Sequence, residues 1–227
     1  CKHTLRDAGQ VNNFEKLNTA GIKVAQEACL ELEAYNVLVA GGVSYWSFTE
    51  NRPDLKELKS NICEQVLIQK NAGADLIILE MMGEIDRMLV TIEAATEVGL
   101  PVWVGLSCQP NALGEMCMLN GDTLSQAIKE INSFDIDLLN IMHTDISFVD
   151  SCLDIVEQEW TRFIGLYPHS GSMKKSDWMF GQVIKPQLFE QHVSRWLKRR
   201  ISLLGGCCGI GVKHMQLISE RFFSKTM

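Results

Sequence analysis

The sequence predicts an α/β protein built on parallel strands, of the closed (β/α)₈ TIM-barrel type. Six short apolar runs alternate with segments of helical periodicity. The runs are continuous rather than alternating, the pattern of strands covered on both faces. Polar or reactive residues stand at the C-terminal ends of nearly all of them: Glu80, Ser107-Cys108, Asn140 with His143, Tyr167 with His169, and Cys207-Cys208. Strict alternation admits either an open doubly wound sheet or a closed barrel. A barrel gathers all its strand ends at one mouth, where its enzymes place their sites. An open sheet uses the crevice where strand order reverses, and no glycine-rich phosphate fingerprint follows any run here. The scatter of reactive strand ends therefore points to the barrel.

Taken in order, the predicted strands are residues 36–41, 75–80, 101–107, 137–143, 163–167 and 201–206. Helical spacing covers 14–35, with Leu17, Ile22, Ala25, Cys29 and Leu32 on one side. It covers 55–72 through Leu58, Ile62 and Val66, and Asn71-Ala72-Gly73 reads as its cap. It covers 84–98, stopped by Gly99-Leu100-Pro101. The segments 122–134, 145–159, 187–198 and 212–223 behave likewise, with Asp122 and Asp145 where N-caps belong. No linker interrupts the series, so residues 1–227 read as one barrel domain.

Composition narrows the function classes. Hydrophobic residues make up 46% and charged residues 22%, the balance of a soluble globular protein. The net charge of −7 excludes nucleic acid as a natural partner. The one basic cluster, Lys198-Arg199-Arg200, reads as a solvated helix end. No apolar run approaches the ~20 residues that span a bilayer, and the opening residues given carry no signal-peptide pattern. Most of the eight cysteines sit singly in apolar patterns, as small hydrophobes do. A reducing cytoplasm is the expected location. The sequence carries no signal of oligomeric state.

The sharpest chemical signal is Gly205-Gly206-Cys207-Cys208-Gly209 after the last run. Adjacent strand residues point to opposite faces, so two vicinal thiolates share one metal only where the backbone bends. The glycines permit that bend. Zinc suits such thiolates, and a catalytic zinc keeps three protein ligands and leaves a fourth position for substrate. Two buried thiols at a tight turn, or a vicinal disulfide, is the simpler alternative.

This motif, followed by Ile210-Gly211-Val212-Lys213-His214-Met215, resembles the closing zinc motif of the homocysteine S-methyltransferase family. Residues 73–80, 101–107 and 167–171, together with Trp196, match other family pieces in order. The resemblance runs from about Asn36 onward. It implies a zinc-dependent (β/α)₈ barrel whose small-molecule partners are a thiol, homocysteine or one like it, and an activated methyl donor, with methionine as product. By resemblance Cys207 and Cys208 are zinc ligands, and Glu80, on the family's fourth strand, holds the substrate ammonium group. Ser107, Asn140 and His169 are the other expected substrate-binding residues. The donor is not specified. The family's opening strands have no match, so the chain is expected to lack the first two β/α units, its six strands being the third to the eighth.

Two positions depart from the family. Its third zinc cysteine follows an asparagine on strand six, but here Ile141 follows Asn140. Residues two apart in a strand face one side, so His143 is expected to point as Ile141 does, one step nearer the mouth. A Cys₂His zinc site with His143 is one outcome; a rim histidine with zinc weak or lost is the other. His169 replaces an asparagine and keeps the capacity to hydrogen-bond a carboxylate. Two further readings compete: a zinc-free chemistry with His143 and Glu80 as acid and base, and a non-catalytic barrel that binds a small amino acid.

Overall fold

A computed structural model of the protein describes residues 1–47, 49, 51–174 and 179–223. The chain divides into two compact units, Cys1–Gly105 with Glu130–Asp137, and Leu106–Lys129 with Leu138–Met227. Strands and helices alternate through both. No helix among the described residues is long and apolar enough to cross a membrane.

The first unit holds helices α1 (Lys2–Asp7) and α2 (Phe14–Glu31), strand β1 (Ala40–Val43), α3 (Leu55–Ala72), β2 (Leu76–Met82), α4 (Ile85–Thr96) and β3 (Val102–Leu106). β1 pairs with β2 in parallel, from Ala40 opposite Leu76 to Val43 opposite Leu79, and β3 flanks β2 on its other side. Local chemistry sets the ends of α3. The Asp54 side chain accepts from Glu57 N at 2.8 Å, and Gly73 closes the helix at φ 98°. Leu58, Ile62 and Val66 then form its buried stripe. The buried Tyr45 hydroxyl accepts from Gly83 N and Glu84 N and so satisfies donors at the start of α4.

The first strand departs from the expected 36–41. Its partner β2 begins at Leu76, so residues before Val39 have no strand to pair with; Val39 N donates to the Asp75 carboxylate instead. Val37 and Leu38 are left 52% and 62% exposed. α2 ends at Glu31, short of Tyr35, because Glu33 adopts φ 51° and breaks the helical path.

The second unit begins with a hairpin of β4 (Cys108–Pro110) and β5 (Met116–Met118), followed by α5 (Leu124–Ile131). Then come β6 (Leu138–Asp145), α6 (Val149–Glu159), β7 (Phe163–His169), a second antiparallel pair β8 (Ser172–Lys174) and β9 (Met179–Gly181), α7 (Pro186–Trp196), β10 (Ile201–Leu204) and α8 (Val212–Ile218). β6, β7 and β10 lie in that order and pair in parallel. The cap of α5 is Thr123, whose hydroxyl accepts from Gln126 N, rather than Asp122. Asp145 does cap a helix, but a short 3₁₀ turn over Ile146–Phe148 that precedes α6. The basic cluster is not a solvated helix end. Arg199 bonds Glu157 and Asp154, and Arg200 bonds the Trp160 carbonyl. These contacts tie the segment after α7 to α6, above the buried Trp160, Trp196 and Phe189.

Candidate metal centre

Three side chains of the second unit converge. The Nδ1 atom of His143 lies 3.4 Å from Cys207 Sγ, and Cys207 Sγ lies 3.8 Å from Cys208 Sγ. All three ligand atoms lie within 4.8 Å of one another, and all three residues are partly buried. A tetrahedral zinc with bonds of ~2.0–2.3 Å sets its ligands ~3.5–3.8 Å apart. Donor chemistry and spacing therefore both fit a metal ion. Among the described residues this is the group of histidine, cysteine and acidic side chains with that geometry.

The backbone explains how adjacent cysteines come to share a side. Beyond β10 the chain stays bonded to β7 and its continuation. Gly205 N donates to Leu166 O at 2.8 Å, Cys207 N to Pro168 O at 2.9 Å, and Ser170 N to Cys208 O at 3.0 Å. Ile210 N returns to Cys207 O at 3.0 Å, closing a tight turn, and Gly209 sits at φ 78°. A side chain at Gly209 would collide with the Ser170 carbonyl oxygen.

His143 reaches the sulfurs by a route that strand alternation did not foresee. β6 pairs regularly with β7 up to Met142 opposite Tyr167, then slips so that Asp145 faces His169. Within that bulge His143 adopts φ 43°, a left-handed conformation that histidine tolerates better than most residues. The bulge, rather than shared register with the fully buried Ile141, aims the imidazole. Burial, with the neighbouring His169 second, lowers its pKa to about 4. It is therefore neutral at pH 7, with a lone pair available to a metal.

His169 packs against His143 with ring centroids 4.6 Å apart, and its Nε2 lies 3.8 Å from Asp145 Oδ2. Asp145 was legible only as a cap; its place beside His169 depends on the register slip. Ser107 and Asn140 are fully buried. The Ser107 hydroxyl donates to Met142 Sδ at 3.2 Å, and Asn140 packs over Gly165 of β7. His214 is not a ligand candidate. Its Nδ1 accepts from Gly211 N at 3.2 Å, which leaves Nε2–H to donate to Ile184 O at 2.8 Å.

Glu80 belongs to the first unit, near the end of β2. Its carboxylate stands over Gly42, whose missing Cβ would lie 3.7 Å from Oε2. Burial raises its pKa, with no compensating hydrogen bond or charge among the described residues. A desolvated carboxylate of this kind gains most from a cationic partner. Met81, directly after it, adopts φ 59°.

The profile of the homocysteine S-methyltransferase family matches residues 2–222. Homocysteine S-methyltransferase 2 of Arabidopsis thaliana is 22% identical over 198 residues, covering 85% of this chain and 58% of that protein. Selenocysteine Se-methyltransferase of Brassica oleracea var. italica is also 22% identical, covering 85% of this chain and 56% of that protein. The chain thus spans less than two thirds of the length of these relatives. Among solved structures, the oxidized form of the homocysteine methyltransferase MmuM from Escherichia coli aligns with a TM-score of 0.74 at 17% identity, over 95% of this chain and 75% of that one. The metallated form of the same enzyme aligns at 0.71 and 17%, over 91% and 71%. The fold is accordingly α/β of the (β/α)₈-barrel type.

Proposed function

The chain belongs to the homocysteine S-methyltransferase family, and on that premise we propose that it is a zinc-dependent methyltransferase that moves a methyl group from an activated donor to the thiol of homocysteine, giving methionine. The observation that carries this reading is the convergence of His143, Cys207 and Cys208 within ligand distance. These three residues would hold the zinc. A bound zinc would supply the Lewis acidity that keeps a substrate thiol deprotonated and nucleophilic near neutral pH.

The remaining roles belong to the chain. Three protein ligands leave room for the thiol, and the turn through Gly209 holds the two sulfurs in place. Glu80 pairs with the ammonium group of the amino-acid substrate, gaining the charge partner that its desolvated site lacks. His169 takes the substrate carboxylate. Ser107 and Asn140, both without solvent exposure, form the floor beneath. The free thiols of the site suit a reducing compartment, for which we propose the cytoplasm.

One observation favours a second reading. Ile141, where the family carries its third cysteine, is fully buried and offers no ligand. A barrel that binds a small amino acid without zinc would share that feature. Elemental analysis of the purified protein, wild type beside Cys208→Ser, separates the two, together with a methyl-transfer assay on homocysteine with several donors. Zinc near one per chain, lost in the variant, and methionine formation are expected. Absence of both zinc and transfer would overturn the proposal.

A further inference from the structure

The His143 and His169 rings are 4.6 Å apart between centroids. Two imidazoles bound to one tetrahedral zinc through bonds of ~2.0–2.1 Å would have centroids about 5 Å apart. His169 is thus close enough to serve as a fourth ligand beside His143. Yet the group whose ligand atoms lie within 4.8 Å of one another is His143, Cys207 and Cys208, without His169. The Nε2 of His169 is turned to Asp145 Oδ2, 3.8 Å away.

Asp145 is itself firmly placed. Its Oδ1 accepts from Ser147 N at 2.9 Å and from Ser147 Oγ at 2.5 Å, which leaves Oδ2 for His169. The slipped register of β6 on β7 sets Asp145 directly opposite His169. The backbone that aims His143 at the sulfurs therefore also sets the carboxylate against the second histidine.

We propose that Asp145 is a positioning residue that holds His169 out of the metal's coordination sphere and so keeps the fourth position open for a thiol. A zinc with four protein ligands is a closed, structural site, whereas one with three has an open place for substrate. Without the carboxylate, His169 turns inward and the site becomes Cys₂His₂. Carboxylates commonly orient histidines around metal centres to strengthen ligation; here the carboxylate withholds a ligand, so its removal should tighten metal binding. The inference rests on the metal-site reading above.

The test uses the full chain and cobalt(II), whose visible spectrum reports thiolate ligands and coordination. The first variant is Asp145→Ser, because serine can still cap the turn at Ser147 but is too short to reach His169; Asp145→Ala is the second. Both should bind cobalt on the order of 10-fold more tightly than wild type, within the range of outer-shell effects. In both, added 2-mercaptoethanol should no longer perturb the cobalt bands, as it does in wild type. Adding His169→Asn to either should return affinity and thiol response to wild-type values, a reversal that a merely structural role for Asp145 would not produce. Wild type that shows no cobalt–thiolate band overturns the metal-site reading and this inference together. Wild type that shows the band, with Asp145 variants binding cobalt equally or more weakly, overturns this inference alone.

Discussion

His143 separates backbone tolerance from ligand chemistry at a single position. At φ 43° asparagine and histidine are accepted more readily than most residues. His143→Asn should therefore fold like wild type while losing the imidazole donor. The expected result is a zinc content well below wild type after dialysis against a chelator, with a melting temperature of the metal-free protein within a few degrees of wild type. Undiminished zinc would remove His143 from the ligand set. Glu80 carries the opposite electrostatic burden. Its pKa is raised by burial, so the ionised carboxylate costs the folded state. That cost is absent below the unfolded carboxylate pKa and sets in as pH rises through the raised folded value. Glu80→Gln should resist urea better than wild type at pH 7 and equally at pH 3.5. The same change should weaken homocysteine binding by about 1.5–3 kcal/mol, the range for a hydrogen bond to a charged group. An unchanged KM would end the assignment of Glu80 to the ammonium group.

At the scale of elements, the turn after β10 places both sulfurs. Gly209→Ala puts a Cβ against the Ser170 carbonyl oxygen and strains a residue at φ 78°. A loss of about 1–3 kcal/mol of stability is expected, with a marked fall in zinc content. A variant that keeps its zinc would show that the turn has slack. How far these elements could be read in advance depended on where their causes lie. The limits of α3 are written locally, in Asp54 and Gly73; the expected span of 55–72 matches it and the expected cap falls on Gly73, while the Asp54 cap is added by the structure. The paired cysteines were equally plain, because their glycines flank them. The bulge in β6 was not, because it arises from register against β7, a partner distant along the chain. The Asp145–His169 pairing follows from that slip and was hidden with it. The early start expected for β1 had a related cause: Val37 and Leu38 have strand-like composition but no β2 residue opposite them. The β4–β5 hairpin escaped notice because three-residue strands leave too short a pattern.

At the scale of the whole molecule, β1 pairs with β2 among the described residues, and the exposed Val37 and Leu38 precede it. Exposed apolar residues beside a strand favour association between chains. Leu38→Lys should lower light scattering at a given protein concentration, with stability changed by no more than about 0.5 kcal/mol, as for other surface substitutions. Equal scattering would locate the association elsewhere. The eight cysteines are distributed through both units as free thiols; Cys108, Cys117 and Cys152 are buried, and Cys1, Cys29 and Cys63 are partly accessible but far apart in sequence. Cys207 and Cys208 are adjacent, both partly accessible, and turned to one side with 3.8 Å between sulfurs. That arrangement is a chelating dithiol, the grip by which trivalent arsenicals seize proteins. A fluorescent arsenical would then mark this one turn, and a metal already seated there would shield it, so that labelling would read out site occupancy in an intact cell.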